Sequence, residues 1–254
     1  MTLHDIRSPA MLKRWETSRA MATKENNVGT SALQTKISVT LSVPPTLSLG
    51  DPEAELRLIL TLRIVESARE GRPITFCTDL SVFDVIESGL IDMPARGAFG
   101  SLRDASGDTA RNISLGFFHV RYFTNSTSSD LRERDKRFVT IPGDGSPAMV
   151  VHRLGWGRIF KYAGSRKKED LVPGDRFNVA ISRRWLKCTW WCWGDLESDL
   201  KDKRLHVWHP GQFTGPKPED DEFKDGSWVL GEDPRLLTWE DVTEGRNVSF
   251  EIVE

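Results

Sequence analysis

The sequence predicts a mostly β protein: a single antiparallel β-sandwich, immunoglobulin- or arrestin-like or an open barrel, with long loops, behind an N-terminal leader. Three observations predict it. Apolar and polar residues alternate with period two through several stretches. Helical periodicity is nearly absent, and irregular connections rich in Pro and Gly separate the alternating stretches. A chain of 254 residues can hold one such domain, here residues 36–254.

Residues 1–35 read as a leader, poorly ordered or a short helix. Ser8-Pro9 can start a helical turn with Met11, Leu12 and Trp15 on one side, but TKENNVGTSALQT beyond it is polar and aperiodic. Arg7, Lys13, Arg14 and Arg19 suit a mitochondrial presequence, whereas Asp5 and Glu16 break its acid-poor rule. A dispensable leader is the better reading.

From Lys36 the pattern changes. Ile37, Val39, Leu41 and Val43 alternate with Lys36, Ser38, Thr40 and Ser42, as a strand with one buried face requires. Pro44-Pro45 stops it. In ELRLILTLRIV, Leu56, Leu58, Leu60, Leu62 and Ile64 share one face; Arg57, Ile59, Thr61, Arg63 and Val65 leave the other only partly polar. At helical spacing the leucines would smear around the circumference, so a strand is predicted over Glu55–Val65. A Gly-Pro turn leads to a third strand, Ile74–Phe83, which should close a hairpin with the second. Weaker strands are predicted near Ile113–Phe123, Arg137–Ile141 and Ala148–Leu154. Phe177, Val179 and Ile181 restart the alternation after Pro173-Gly174, and Val248, Phe250 and Ile252 end it in a strand that should be paired into a sheet. Asn125–Lys136, Lys161–Asp170 and Gly211–Arg235 read as loops.

Composition excludes several classes. The 35 basic and 37 acidic residues leave a formal net charge of −2, which gives no case for a nucleic-acid partner. No stretch approaches the ~18 apolar residues of a membrane span. With three cysteines (Cys77, Cys188, Cys192) and no secretory h-region, the chain reads as cytoplasmic with free thiols, and Asn112, Asn125 and Asn247 as chance glycosylation matches. No G-x-G-x-x-G or P-loop follows a strand, no G-x-S-x-G occurs, and no cofactor is implied.

Four constellations bear on chemistry. Cys188-x3-Cys192, then thirteen residues, then His206-x2-His209, has the look of a zinc site. On a strand, however, residues i and i+4 stand ~13 Å apart, too far for two thiolates to share an ion, so no metal is expected. Histidine–carboxylate pairs drawn from His119, His152, His206, His209, Asp195 and Asp199 have no sequence pattern that fixes a catalytic geometry. The basic run Arg166-Lys167-Lys168, followed by Glu169-Asp170, reads as a solvated loop. The strongest signal is aromatic: Trp185, Trp190, Trp191, Trp193, Trp208 and Trp228 lie among nine tryptophans in the chain. On a strand Trp191 and Trp193 share a face and Trp190 takes the other, so one face can join the core while the other presents aromatic surface. Trp191, Trp193, His206 and Trp208 are the candidate lining of a site for a planar or apolar ligand.

Two segments carry a resemblance. The run from Ile37 to Asp84, with its "PITF" strand, and DLVPGDRFNVAISRRWLKCTWWCWGDL, with its "L-x-P-G" strand and "WWCWG" segment, together resemble uncharacterised filamentous-fungal β-sandwich proteins over about a third of the chain. The resemblance implies a β-sandwich and carries over no catalytic residue. The leading expectation is a non-catalytic module that binds a protein partner or an apolar small molecule. The alternative is a small pocket enzyme of fungal secondary metabolism, of cyclase, isomerase or dehydratase type, working by shape and aromatic charge stabilisation. A cavity lined by the candidate tryptophans would favour the enzyme, and tryptophans spent on core packing would favour the module.

Overall fold

A computed structural model gives the structure of the protein and describes residues 34–85, 93–117, 128–134, 136–207 and 226–254. The leader lies outside these except for its last two residues. Among the described residues the first strand begins at Thr35.

The strands in chain order are β1 (Thr35–Ser42), β2 (Thr46–Ser48), β3 (Glu55–Glu66), β4 (Ile74–Cys77), β5 (Ser101–Asp104), β6 (Ile113–Ser114) and β7 (Phe138–Ile141). After them come β8 (Ala148–Gly155), β9 (Arg176–Val179), β10 (Trp191–Trp193), β11 (Arg204–His206), β12 (Trp228–Leu230), β13 (Leu237–Asp241) and β14 (Val248–Val253). Among the described residues one short α-helix, α1 (Trp156–Phe160), follows β8 directly. The strands form sheets of order β13-β1-β3-β8, β10-β4-β7, β11-β12 and β2-β14-β9-β5-β6.

The four-stranded sheet follows the predicted alternation. Ile37, Val39 and Leu41 of β1 and Leu56, Leu58, Leu60 and Leu62 of β3 are buried, while their neighbours in sequence are not. Each leucine so enclosed contributes roughly 1.5–3 kcal/mol of transfer free energy, and a one-residue slip in register would expose the whole set. β1 and β3 pair antiparallel, with Val39 opposite Leu62. β8 lies on the other side of β3 and buries Val150, His152 and Leu154.

Two expectations are corrected. The strand foreseen over Ile74–Phe83 ends at Cys77. Beyond it Ser81 N–H donates to the Thr78 carbonyl (3.0 Å), Ser81 Oγ donates to the same oxygen (2.6 Å), and Leu80 takes a left-handed φ of 56°. Local hydroxyl-to-backbone bonding wins over ladder extension there, and the continued alternation through Leu80 and Val82 is coincidence. The β3–β4 hairpin also does not form: β3 pairs with β1 and β8, β4 with β10 and β7. The Gly-Pro turn therefore carries the chain from one sheet to another. It is braced by the β7–β8 turn, where a Cβ on Gly143 would meet the Gly71 carbonyl oxygen at 2.3 Å, so only glycine allows the two backbones to touch.

Most ladders are antiparallel as expected, but β1–β13, β2–β14 and β11–β12 run parallel, so the four- and five-stranded sheets are mixed. The expected pairing of the last strand holds, with β14 lying between β2 and β9. Two cores result. The larger takes Ile37, Leu60, Ile74, Phe76, Leu102, Trp191, Phe177 and Phe250; the smaller takes Cys77, Leu131, Trp190, Cys192, Leu200, Leu205 and Val207. Successive residues of β4 and β10 enter alternate cores, so the three-stranded sheet is a wall packed on both sides.

Candidate functional site

The aromatic segment begins with a 3-10 turn, Arg183–Trp185, whose Trp185 carbonyl accepts from Val82 N–H (2.9 Å). Trp185 is buried and ringed by cations: Arg184 Cζ lies 5.1 Å, Lys187 Nζ 5.2 Å and Arg96 Cζ 5.8 Å from its ring. The chain then enters β10, where Trp191 pairs with Phe76, Cys192 with Thr75 and Trp193 with Ile74.

Trp191 and Trp193 share a face, as the alternation predicts. They meet edge-to-face at 5.4 Å, and both pack on the larger core. Trp191 donates its indole N–H to the Asp233 carbonyl (2.9 Å), and Arg69 lies 5.4 Å over the part-buried Trp193. The opposite face does not present aromatic surface. Trp190 fills the smaller core, meets Phe138 edge-to-face at 5.5 Å, and donates its N–H to the His206 carbonyl (2.6 Å). A buried indole needs a partner for that one polar atom, and main-chain oxygens supply it twice.

His206, on β11, is fully buried, with its ring edge-on to Trp228 at 5.8 Å. Its Nδ1 lies 3.2 Å from the Val207 carbonyl, a contact that needs the proton on Nδ1. The predicted quartet is thus divided. Trp191 and Trp193 belong to the larger core, His206 sits with Trp190 and Trp228, and Trp208 lies outside the described residues, as do His119 and His209. Cys188 packs in the larger core and Cys192 in the smaller, so the two thiols of the zinc-like spacing face different interiors. Burial pushes the Cys77 thiol up to about 11 and raises Cys188 and Cys192 as well, which keeps all three protonated at neutral pH. Among the described residues no three His, Cys, Asp or Glu side chains gather as a metal set.

Two polar groupings escaped the sequence reading. At the turn after β4, Lys136 binds Asp79 (2.5 Å) and Arg137 approaches Asp84 (3.3 Å). Burial raises the Asp84 carboxyl, and the Arg137 charge opposes the shift. Nearby groups are committed to the main chain: Thr78 Oγ1 donates to the Arg137 carbonyl, and His152 Nε2 lies 2.7 Å from that of Val82. On the five-stranded sheet Arg111 bridges buried Asp104 and Asp175, and the Ser106 hydroxyl donates to Asp104, whose carboxyl is lowered mainly by that bond. A strand assignment carried through Phe83 hid the first grouping. The second joins residues far apart in sequence and leaves no local pattern.

Comparison with protein-family models, curated proteins and solved structures finds no match to this chain. Among the described residues no helix is long and apolar enough to cross a membrane.

Proposed function

We propose that this chain is a non-catalytic interaction module of the cytoplasm of a filamentous-fungal cell, and that it engages its partner through exposed strand faces and edges. The observation that carries this reading is the fate of the tryptophans: Trp190 and Trp191 are buried, with both indole N–H groups held by main-chain carbonyls. Packing of Trp190, Trp191 and His206 in the interior supports reading these side chains as part of the fold rather than as the pocket lining that the enzyme alternative requires. The larger core draws residues from both the four-stranded and the five-stranded sheet, which supports reading these as the two layers of a sandwich.

The test is a titration of planar apolar compounds, followed by intrinsic tryptophan fluorescence, on the full chain and on Trp193→Phe. The module reading expects no saturable binding tighter than about 10 μM. A compound that binds more tightly than that, and is lost in a folded Trp193→Phe protein, overturns it in favour of the pocket reading.

A further inference from the structure

The solvent face of the four-stranded sheet carries an unbalanced charge pattern. In the register of β3 with β8, Arg57 stands directly opposite Arg153, and like charges in that position repel. One carboxylate, Glu55, serves both, at 3.1 Å from Arg153 and 3.8 Å from Arg57. Arg63, on the same face, donates to the Gly145 carbonyl (2.6 Å) and has no carboxylate within 4 Å among the described residues. Lys36, toward β13, meets both Glu240 and Glu66. The uncompensated positive charge therefore sits on the β3–β8 half. The same half carries apolar surface: Ile59 pairs with Val151, Thr61 with Met149, and Met149 and Val65 are 59% and 50% exposed.

β8 is also an edge. No described segment other than β3 hydrogen-bonds to the main chain of Met149, Val151 or Arg153. Native edges are usually guarded by proline, lysine, a bulge or brevity. β8 is eight residues long and lacks proline and lysine, and no bulge interrupts its register with β3.

We propose that β8 is a docking edge for an extended segment of an acidic partner protein. The segment adds as a strand beside β8 with its carboxylates on the solvent face, next to Arg153 and toward Arg57, and its alternating apolar side chains on the opposite face of the sheet. Main-chain pairing supplies affinity, and the arginines select for acidic sequence. Pairing of two copies through β8 would bring more arginine to a face already in excess, so charge favours the acidic partner over self-association. This inference rests on the interaction-module reading and names its contact surface.

The probe is a synthetic decapeptide alternating Val and Glu, added to the full chain, with a Val/Lys decapeptide as control. The Val/Glu peptide should bind, protect amides of β8 from hydrogen exchange, and weaken with added salt. Arg153→Glu and Met149→Glu, both at exposed positions and checked for unchanged circular dichroism, should each weaken it by about tenfold. Absence of binding at about 1 mM peptide, equal binding of the Val/Lys peptide, or binding without β8 protection overturns the proposal. A peptide-free dimer whose β8 amides gain protection with protein concentration assigns the edge to a second copy and overturns it too. None of these outcomes touches the fluorescence test, so the two readings fail separately.

Discussion

The indole of Trp190 lies against the main chain of Gly231 so closely that a Cβ there would fall 2.2 Å from Cδ1 and 2.3 Å from Nε1. The ring has no room to retreat. Its N–H is held by the His206 carbonyl, which also accepts from Gly231 N–H (3.0 Å), and its edge meets Phe138. Gly231→Ala should therefore cost about 1–3 kcal/mol, the range of an overpacked core. The check is the urea midpoint at unchanged slope. A midpoint equal to that of the parent would show that β12 moves freely away from Trp190.

Trp191 and Trp193 should respond differently to truncation. Trp191→Phe removes ring volume from a buried site together with the donor to Asp233, and each loss has its own cost. We expect a loss of about 2–4 kcal/mol for Trp191→Phe and less than about 1.5 kcal/mol for the part-buried Trp193→Phe. Paired thermal melts decide it, and an inverted order would contradict the assignment of Trp191 to the core.

Asp84 sets a pH dependence of definite sign. Its carboxyl titrates above the ordinary value in the folded chain because burial outweighs Arg137. The folded state then holds the proton more tightly than the unfolded chain, so this group's contribution falls as pH rises from about 4 through the raised folded value, and is flat beyond. Asp84→Asn should flatten that part of the stability curve and leave the protein at least as stable at pH 7. Arg137, with its side chain 48% exposed, is left in water at little cost. An Asn variant markedly less stable at neutral pH would show that the ion pair outweighs desolvation.

The three thiols should be silent in the native state. Cys77, Cys188 and Cys192 are buried and their titration is pushed upward. At pH 8 a disulfide-exchange reagent should label them only at the rate of unfolding, and together. Rapid labelling of one cysteine in native conditions would expose a local opening that the packing does not suggest.

The strands with one wet face were legible in the sequence because their alternation records burial directly. Ile37–Leu41, Leu56–Leu62, Val150–Leu154 and Val248–Ile252 are of this kind. β4 and β10 were harder, for both of their faces are dry. Nothing in ITFC or WCW says that alternate residues enter two different cores, and the far side of β10 was read as surface for that reason. β13 passed unseen because LTWED has a single strongly buried residue, Leu237; its place beside β1 follows from long-range pairing rather than from its own pattern. At the candidate site, the shared face of Trp191 and Trp193 was readable from spacing. The meeting of His206 with Trp190 and Trp228 was not, since it depends on how β11 and β12 return to the wall.

The parallel ladder between β1 and β13 joins Thr35 to Leu237 and Val39 to Asp241. During synthesis β1 can find β3 early, but its other side stays open until some two hundred further residues have left the ribosome. At about 5–20 residues per second that delay is on the order of ten to forty seconds. A nascent chain of this protein must therefore carry a half-paired, leucine-backed sheet for that interval, in which a chaperone has time to bind it.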